Sequence, residues 1–261
     1  MPKTVEIIGP SGAGKTAIYD NLRSEWRDDY RWVTFDDLNR SKSKMIYSYF
    51  KKANSIFLEL LPFVKNNDQA KTYVNEEWGF INYRDSIYLG DDYKALKTVL
   101  MDLVDQHCAE WYDGTDRRFV TIYMMMWSMA YWEKVYSFKN DDRLCILKQG
   151  EGFISRIMHL NSPSFNEIAL QKYLNHIPLP DYLIFLDVNA ENILKRIKAR
   201  ERLSTLHAGM NDEAIFDYTQ KTIDHFQTAM ETVSKKGVSV HCVDAYESLA
   251  DVTDNIIHII R

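Results

Sequence analysis

Eight consecutive residues, Gly9-Pro10-Ser11-Gly12-Ala13-Gly14-Lys15-Thr16, fit the pattern G-x-x-x-x-G-K-[ST] without a mismatch. Their chemistry is phosphate binding. Glycines let the backbone curl until successive N–H groups point inward at phosphate oxygens. A helix that begins near Gly14 adds the positive end of its dipole. Lys15 has the reach for the outer phosphates, and the Thr16 hydroxyl suits Mg²⁺. Such a loop must follow a strand and open a helix. Thr4-Val5-Glu6-Ile7-Ile8 reads as that buried strand, and Thr16 to Arg27, free of Gly and Pro, as that helix.

Phosphoryl transfer needs further cations around the moving phosphoryl group. Arg196, Arg200 and Arg202 have the spacing to supply them, Arg196 and Arg200 being four apart on one helix face. The alternative for such a charge run is a solvated basic face. A carboxylate is also wanted, to orient an acceptor hydroxyl or to hold Mg²⁺ through water. Asp36 and Asp37 close the second predicted strand, and Glu151 follows the third. Each has a plain alternative: a turn-forming Asp pair and a Glu that starts a helix. Trp78, Arg84, Arg117 and Arg118 are candidates to line an acceptor pocket, while His207 reads as a surface loop residue. Neither the histidines nor Cys108, Cys145 and Cys242 have metal-ligand spacing.

The elements that position these residues alternate. Predicted strands lie at 31–35, 144–147, 182–188 and 238–243 besides the first, with helices at 41–66, 91–111, 118–138, 164–175, 191–202, 211–236 and 249–260. Asn211 is a candidate N-cap, and Ser248-x-x-Asp251 a capping box. This alternation implies a parallel sheet covered on both faces, with ligands at the strands' carboxyl ends. Met124, Met125, Met126 and Met129 read as soft core filler.

The totals exclude several classes. The 261 residues are 46% apolar, enough for a substantial core in a single domain spanning 1–261. A net charge of −5 argues against general nucleic-acid binding. Three scattered cysteines fit a reducing cytoplasm, and a strand starting at residue 4 leaves no room for a signal peptide. The longest apolar stretch, 119–132, is too short for a bilayer, so no membrane association is expected.

Three stretches resemble P-loop kinases of the thymidylate kinase and deoxynucleoside kinase group. They are the phosphate loop; Pro180 to Val188 with Glu191, Leu194 to Ile197 and Arg200-Glu201-Arg202; and Val240 to Ile260. The resemblance implies a three-layer α/β fold with a five-stranded parallel sheet ordered 2-3-1-4-5. It also implies a helical insertion over 40–140 that covers the acceptor site, and an arginine-bearing lid over 199–211. ATP and Mg²⁺ would be the cofactors, with Arg196 among the nucleotide-binding residues and Ala245 near the adenine. Lys15, Glu151, Asp36, Arg200 and Arg202 would be the catalytic set. One stretch departs from the group, which carries Asp-Arg after the third strand. Here Gln149-Gly150-Glu151-Gly152 stands there, with Glu151 in place of the aspartate, Gly152 in place of the arginine, and Arg156 one turn later. The two glycines would let a bulky acceptor approach the backbone closely.

The expected activity is therefore transfer of the γ-phosphate of ATP to a small nucleotide or nucleoside-like acceptor. A sugar or surface-polysaccharide precursor is the alternative acceptor, and a regulatory ATPase or nucleotide switch the alternative class. Absence of N-K-x-D argues against a GTPase. The sequence leaves room for a homodimer.

Overall fold

A computed structural model describes residues 3–25, 32–34, 90–136, 143–147, 152–200, 204 and 206–261. Asp36, Asp37, Trp78, Arg84, Glu151 and Arg202 lie outside the described residues, as does 40–89 of the expected insertion.

The sheet is wholly parallel, in the order β2-β3-β1-β4-β5. β1 is Lys3–Ile8, β3 Leu144–Leu147, β4 Tyr182–Asp187 and β5 Ser239–Asp244; the edge strand β2, Trp32–Thr34, has three residues. Parallel strands covered on both faces need apolar side chains in both directions. Val5, Ile7 and Ile8 of β1 and Leu183 to Leu186 of β4 are accordingly buried. β1 lies between β3 and β4, with Glu6 paired to Leu147 on one side and Leu183 on the other. The strand feeding the phosphate loop is thus the middle of the sheet.

Helices cover the sheet on both sides. α1 (Lys15–Glu25) packs against the closing helix α8 (Leu249–Ile260). A separate group comprises α2 (Gly90–Cys108), α3 (Arg118–Tyr136), the single turn α4 (Ile157–Leu160), α5 (Glu167–Leu174) and α7 (Asp212–Ser234). α6 (Ala190–Lys198) leans on α7. Side-chain caps start four of these helices: Asn166 for α5, Asn189 for α6, Asn211 for α7 and Ser248 for α8. The Asn211 cap and the Ser248–Asp251 pairing are as the sequence indicated, each satisfying N–H groups that the first turn leaves open.

One helix is shorter than its sequence pattern. Glu191 to Arg202 was expected to be helical, yet α6 ends at Lys198 with Ala199 as its cap. The Arg200 N–H bonds the Ile197 carbonyl at 3.2 Å, a tightening turn that takes the chain off the helix. Arg196 and Arg200 therefore share no helix face, and Arg200 belongs to the loop. The reason is packing: Ile193 and Ile197, the last apolar pair of the stripe, are fully buried, and nothing apolar follows to hold a further turn. Met125 and Met129 of α3 are core residues. No helix among the described residues is long and apolar enough to cross a membrane.

Candidate functional site

The phosphate loop is built as its sequence requires. Gly9, Gly12 and Gly14 have φ of 153°, 104° and 100°, conformations that side-chain-bearing residues rarely adopt. The Ala13 N–H bonds the Pro10 carbonyl at 3.1 Å, closing the curl. A side chain at Gly12 would meet Ile193 and Ile197 at 3.4–3.6 Å, so α6 rests directly on the loop. Lys15 is 3% exposed and turns back into the loop. Its Nζ donates to the Gly9 carbonyl at 2.6 Å and the Pro10 carbonyl at 2.8 Å. Burial, then the charge of Arg200, bring its pKa down to about 7. Among the described residues its hydrogen-bond partners are these two neutral carbonyls, and a polyphosphate would supply the counter-anion they do not.

Thr16 is exposed at the head of α1, beside that loop. No cluster of three or more carboxylate, His or Cys side chains among the described residues is arranged for a metal ion. Were Mg²⁺ to bind with a nucleotide, the Thr16 hydroxyl is the side-chain group that would hold it, and the ion would neutralise phosphate charge. Arg196 Nη2 donates to the Ala245 carbonyl at 2.9 Å, so these two nucleotide-binding candidates lie together. Arg200, exposed beyond the end of α6, acts on Lys15 and on His207 through its charge. The donor-side candidates Lys15, Arg200, Arg196 and Ala245 thus converge on the β1–α1 and β4–α6 connections.

The segment after β3 holds a residue that sequence reasoning missed. Glu6 of β1 is 2% exposed. Its carboxylate accepts the Ser155 N–H at 2.7 Å and the Ile154 N–H at 3.4 Å, at the start of a 3₁₀ turn, Ile154–Arg156. Burial raises its pKa to about 7 against those bonds and the opposing pull of Arg156. Gly152 makes the approach possible: a Cβ there would lie 1.9 Å from Glu6 Cδ. The space at Gly152 expected to admit a bulky acceptor is therefore filled by Glu6. Arg156 does not reach into an open site either. It is buried, with Nε donating to Ser128 Oγ at 2.8 Å and Nη1 to Met124 Sδ at 3.2 Å. The only hint of Glu6 in the sequence is a lone carboxylate inside an otherwise apolar strand.

A second region joins the α2–α3 turn to the chain after α6. Arg117 Nη1 donates to the Leu206 carbonyl at 3.0 Å and Nη2 to the Ala208 carbonyl at 3.1 Å. Nη2 also pairs with Asp113 at 2.7 Å, and Nε reaches Thr115 Oγ1 at 3.2 Å. The guanidinium lies 5.1 Å from the Trp111 ring centroid. Arg117 is thus a clip between the expected insertion and the expected lid. Beside it is a cavity of about 450 Å³ walled by Trp111, Val120, Thr121, His159 and Leu206. His159 is held neutral by burial and by the charges of Arg156 and Arg117. Arg118 instead points to solvent and pairs with Asp105 and Asp116. His207 is 0% exposed, packed edge-on against Tyr218 and bonded to Ser204 Oγ at 3.0 Å. It is a buried residue of the 206–210 turn, not the surface residue its polar loop implied.

No family model and no curated protein matches the chain. Among solved structures it is similar to deoxyadenosine kinase from M. mycoides with bound dATP, at 11% identity over 99% of this chain and 98% of that one, TM-score 0.47. A structure of the same kinase with products dCMP and dCDP gives 12% identity, 98% of both chains and TM-score 0.48. Thymidylate kinase from Candida albicans gives 14% identity, 99% of this chain, 91% of that chain and TM-score 0.46.

Proposed function

We propose that the protein is an ATP- and Mg²⁺-dependent phosphotransferase acting on a nucleotide or nucleoside-like acceptor. The observation that carries this reading is the built phosphate loop, with Lys15 buried against the Gly9 and Pro10 carbonyls and Arg200 near enough for its charge to act on Lys15. A P-loop alone binds a nucleoside triphosphate. A second cation arriving from the β4–α6 side, close enough to depress the Lys15 pKa, adds charge where a phosphoryl group would move. Lys15 and the loop hold the donor phosphates, Thr16 bears on Mg²⁺, Arg196 adds a cation on the nucleotide side, and Ala245 borders the base. Asp36, Glu151 and Arg202 complete the proposed catalytic set from outside the described residues. The cavity beside Arg117 and His159 falls in the usual size range for small-molecule sites and is the acceptor space we assign.

The test is transfer of label from γ-labelled ATP to nucleosides, nucleotides and sugars. Transfer to a nucleoside or nucleotide, abolished by Lys15→Ala, is the expected result. Labelled sugar alone would move the acceptor to the precursor class. Tight ATP binding with slow, acceptor-independent hydrolysis would favour a regulatory ATPase.

A further inference from the structure

The contact between Glu6 and Gly152 ties together two parts of the sheet that the proposed chemistry uses. Glu6 stands three residues before Gly9, on the strand that becomes the phosphate loop. Gly152 begins the described chain after β3, directly following Glu151. The carboxylate occupies the volume that any side chain at 152 would need, and binds the two N–H groups just beyond it. The same turn is pinned from other directions. Ser155 Oγ donates to the Gly152 carbonyl at 3.0 Å and Ser128 Oγ to the same oxygen at 3.3 Å. Tyr173 Oη donates to the Phe153 carbonyl at 2.6 Å. Every one of these bonds fixes backbone, so what the cluster sets is the path of residues 152–156.

We propose that Glu6 is a positioning residue of the phosphoryl-transfer site, its carboxylate strapping the turn after β3 to the strand that enters the phosphate loop. The proposal rests on the phosphotransferase reading. Glu6 touches no substrate; it acts through the backbone of Gly152, Ile154 and Ser155. The two glycine-adjacent positions then make sense together. A glycine at 152 leaves room for a carboxylate from β1, and that carboxylate holds the turn after β3 in place.

The ionised form accepts both N–H groups most strongly, since protonation makes one oxygen a weaker acceptor. Among the described residues, the charged and titratable groups that act on Glu6 are Arg156, which favours the carboxylate, and Tyr173, whose own ionisation burial and Glu6 suppress. With the Glu6 pKa near 7, the strap tightens as pH rises through neutrality.

Glu6→Gln keeps the shape and removes the titration. Expected is a fall in kcat of about 10- to 100-fold, as for a small misplacement of a reacting group, with the ATP Kd changed less than about twofold. The rise of kcat through pH 7 expected of the wild type should be absent from the variant. Melting supplies a readout independent of turnover. A carboxyl with its folded pKa raised above 4.5 stabilises most below pH 4.5 and loses that contribution as pH rises to about 7. The melting-temperature difference, wild type minus Glu6→Gln, should therefore decline across that window. A second pair of variants guards against misfolding. Gly152→Ala should be impaired by its clash, and Glu6→Ala/Gly152→Ala should melt higher than Gly152→Ala while kcat stays low.

A wild-type kcat and pH profile in Glu6→Gln or in the double variant would overturn the role of Glu6 and leave the phosphotransferase reading intact. A wild-type protein that transfers no label, yet shows the melting difference, would overturn the phosphotransferase reading, and with it the site role of Glu6.

Discussion

Lys15 Nζ lies 2.6 Å from the carbonyl oxygen of Gly9, the residue that opens its own loop. The loop therefore holds its lysine folded inward, buried, and with a pKa of about 7. Phosphate oxygens would draw that ammonium into its charged form. Nucleotide binding at pH 8 should then take up a fraction of a proton per site. Calorimetry in buffers of different ionisation enthalpy measures the uptake; Lys15→Arg, permanently charged, should abolish it.

Arg200 belongs to the loop after α6, and its charge acts where Lys15 sits. Arg200→Ala should lower kcat by about 10²- to 10³-fold, the usual cost of one transition-state electrostatic contact. The ATP Kd, measured by titration, should change little. A change confined to Kd, with kcat intact, would remove Arg200 from the transition state.

The two neighbouring arginines differ in kind. Removing Arg117 leaves Asp113 and the carbonyls of Leu206 and Ala208 without their shared donor. Arg117→Ala should cost about 3–5 kcal/mol, as for breaking a buried pair from one side. Arg118 pairs at the surface, and Arg118→Ala should cost less than about 1 kcal/mol. Denaturant unfolding of the two variants distinguishes them.

Four buried histidines set the acid limit of the fold. Burial keeps His107, His159, His207 and His225 below the usual imidazole value, His207 and His225 at about 4. Each folded pKa is depressed, so the unfolded chain binds more protons as pH falls below about 6.5. Stability should drop between pH 6.5 and 4, monitored by circular dichroism. His207→Gln should flatten part of the slope, because its amide carries no titrating proton.

Asn211→Ala removes the side-chain cap of α7, at the last residue of the expected lid. It should cost about 1 kcal/mol in unfolding free energy, measured by denaturant titration.

What the sequence made legible was local. The phosphate loop lies within eight residues, and its glycines, lysine and flanking strand can all be read together. Helix starts at Asn211 and Ser248 are equally local, since a cap and its partner stand three apart. The parallel sheet follows from alternation of elements alone. Glu6 was illegible because its partners lie at 154 and 155, and a carboxylate in a strand gives no sign of what it will face. Arg117 and Arg118 are adjacent in sequence and alike in type; only the path of 206–208 separates clip from surface pair. His207 was misread because polar neighbours in a turn resemble a solvated loop, whereas Tyr218 and Arg117 close over it. The end of α6 escaped because Arg200-Glu201-Arg202 carries good helix formers, and tertiary burial stops three residues earlier, at Ile197.

The Arg117 clip grips main-chain oxygens at 206 and 208, which every amino acid carries. The grip is blind to what those positions encode. Ala208, whose side chain is exposed, can drift through most of the genetic code without loosening it, whereas position 117 cannot drift at all. In a saturation library the tether should therefore appear as one intolerant codon facing a tolerant one. Comparison of the two columns would reveal the contact to someone who had never seen the fold.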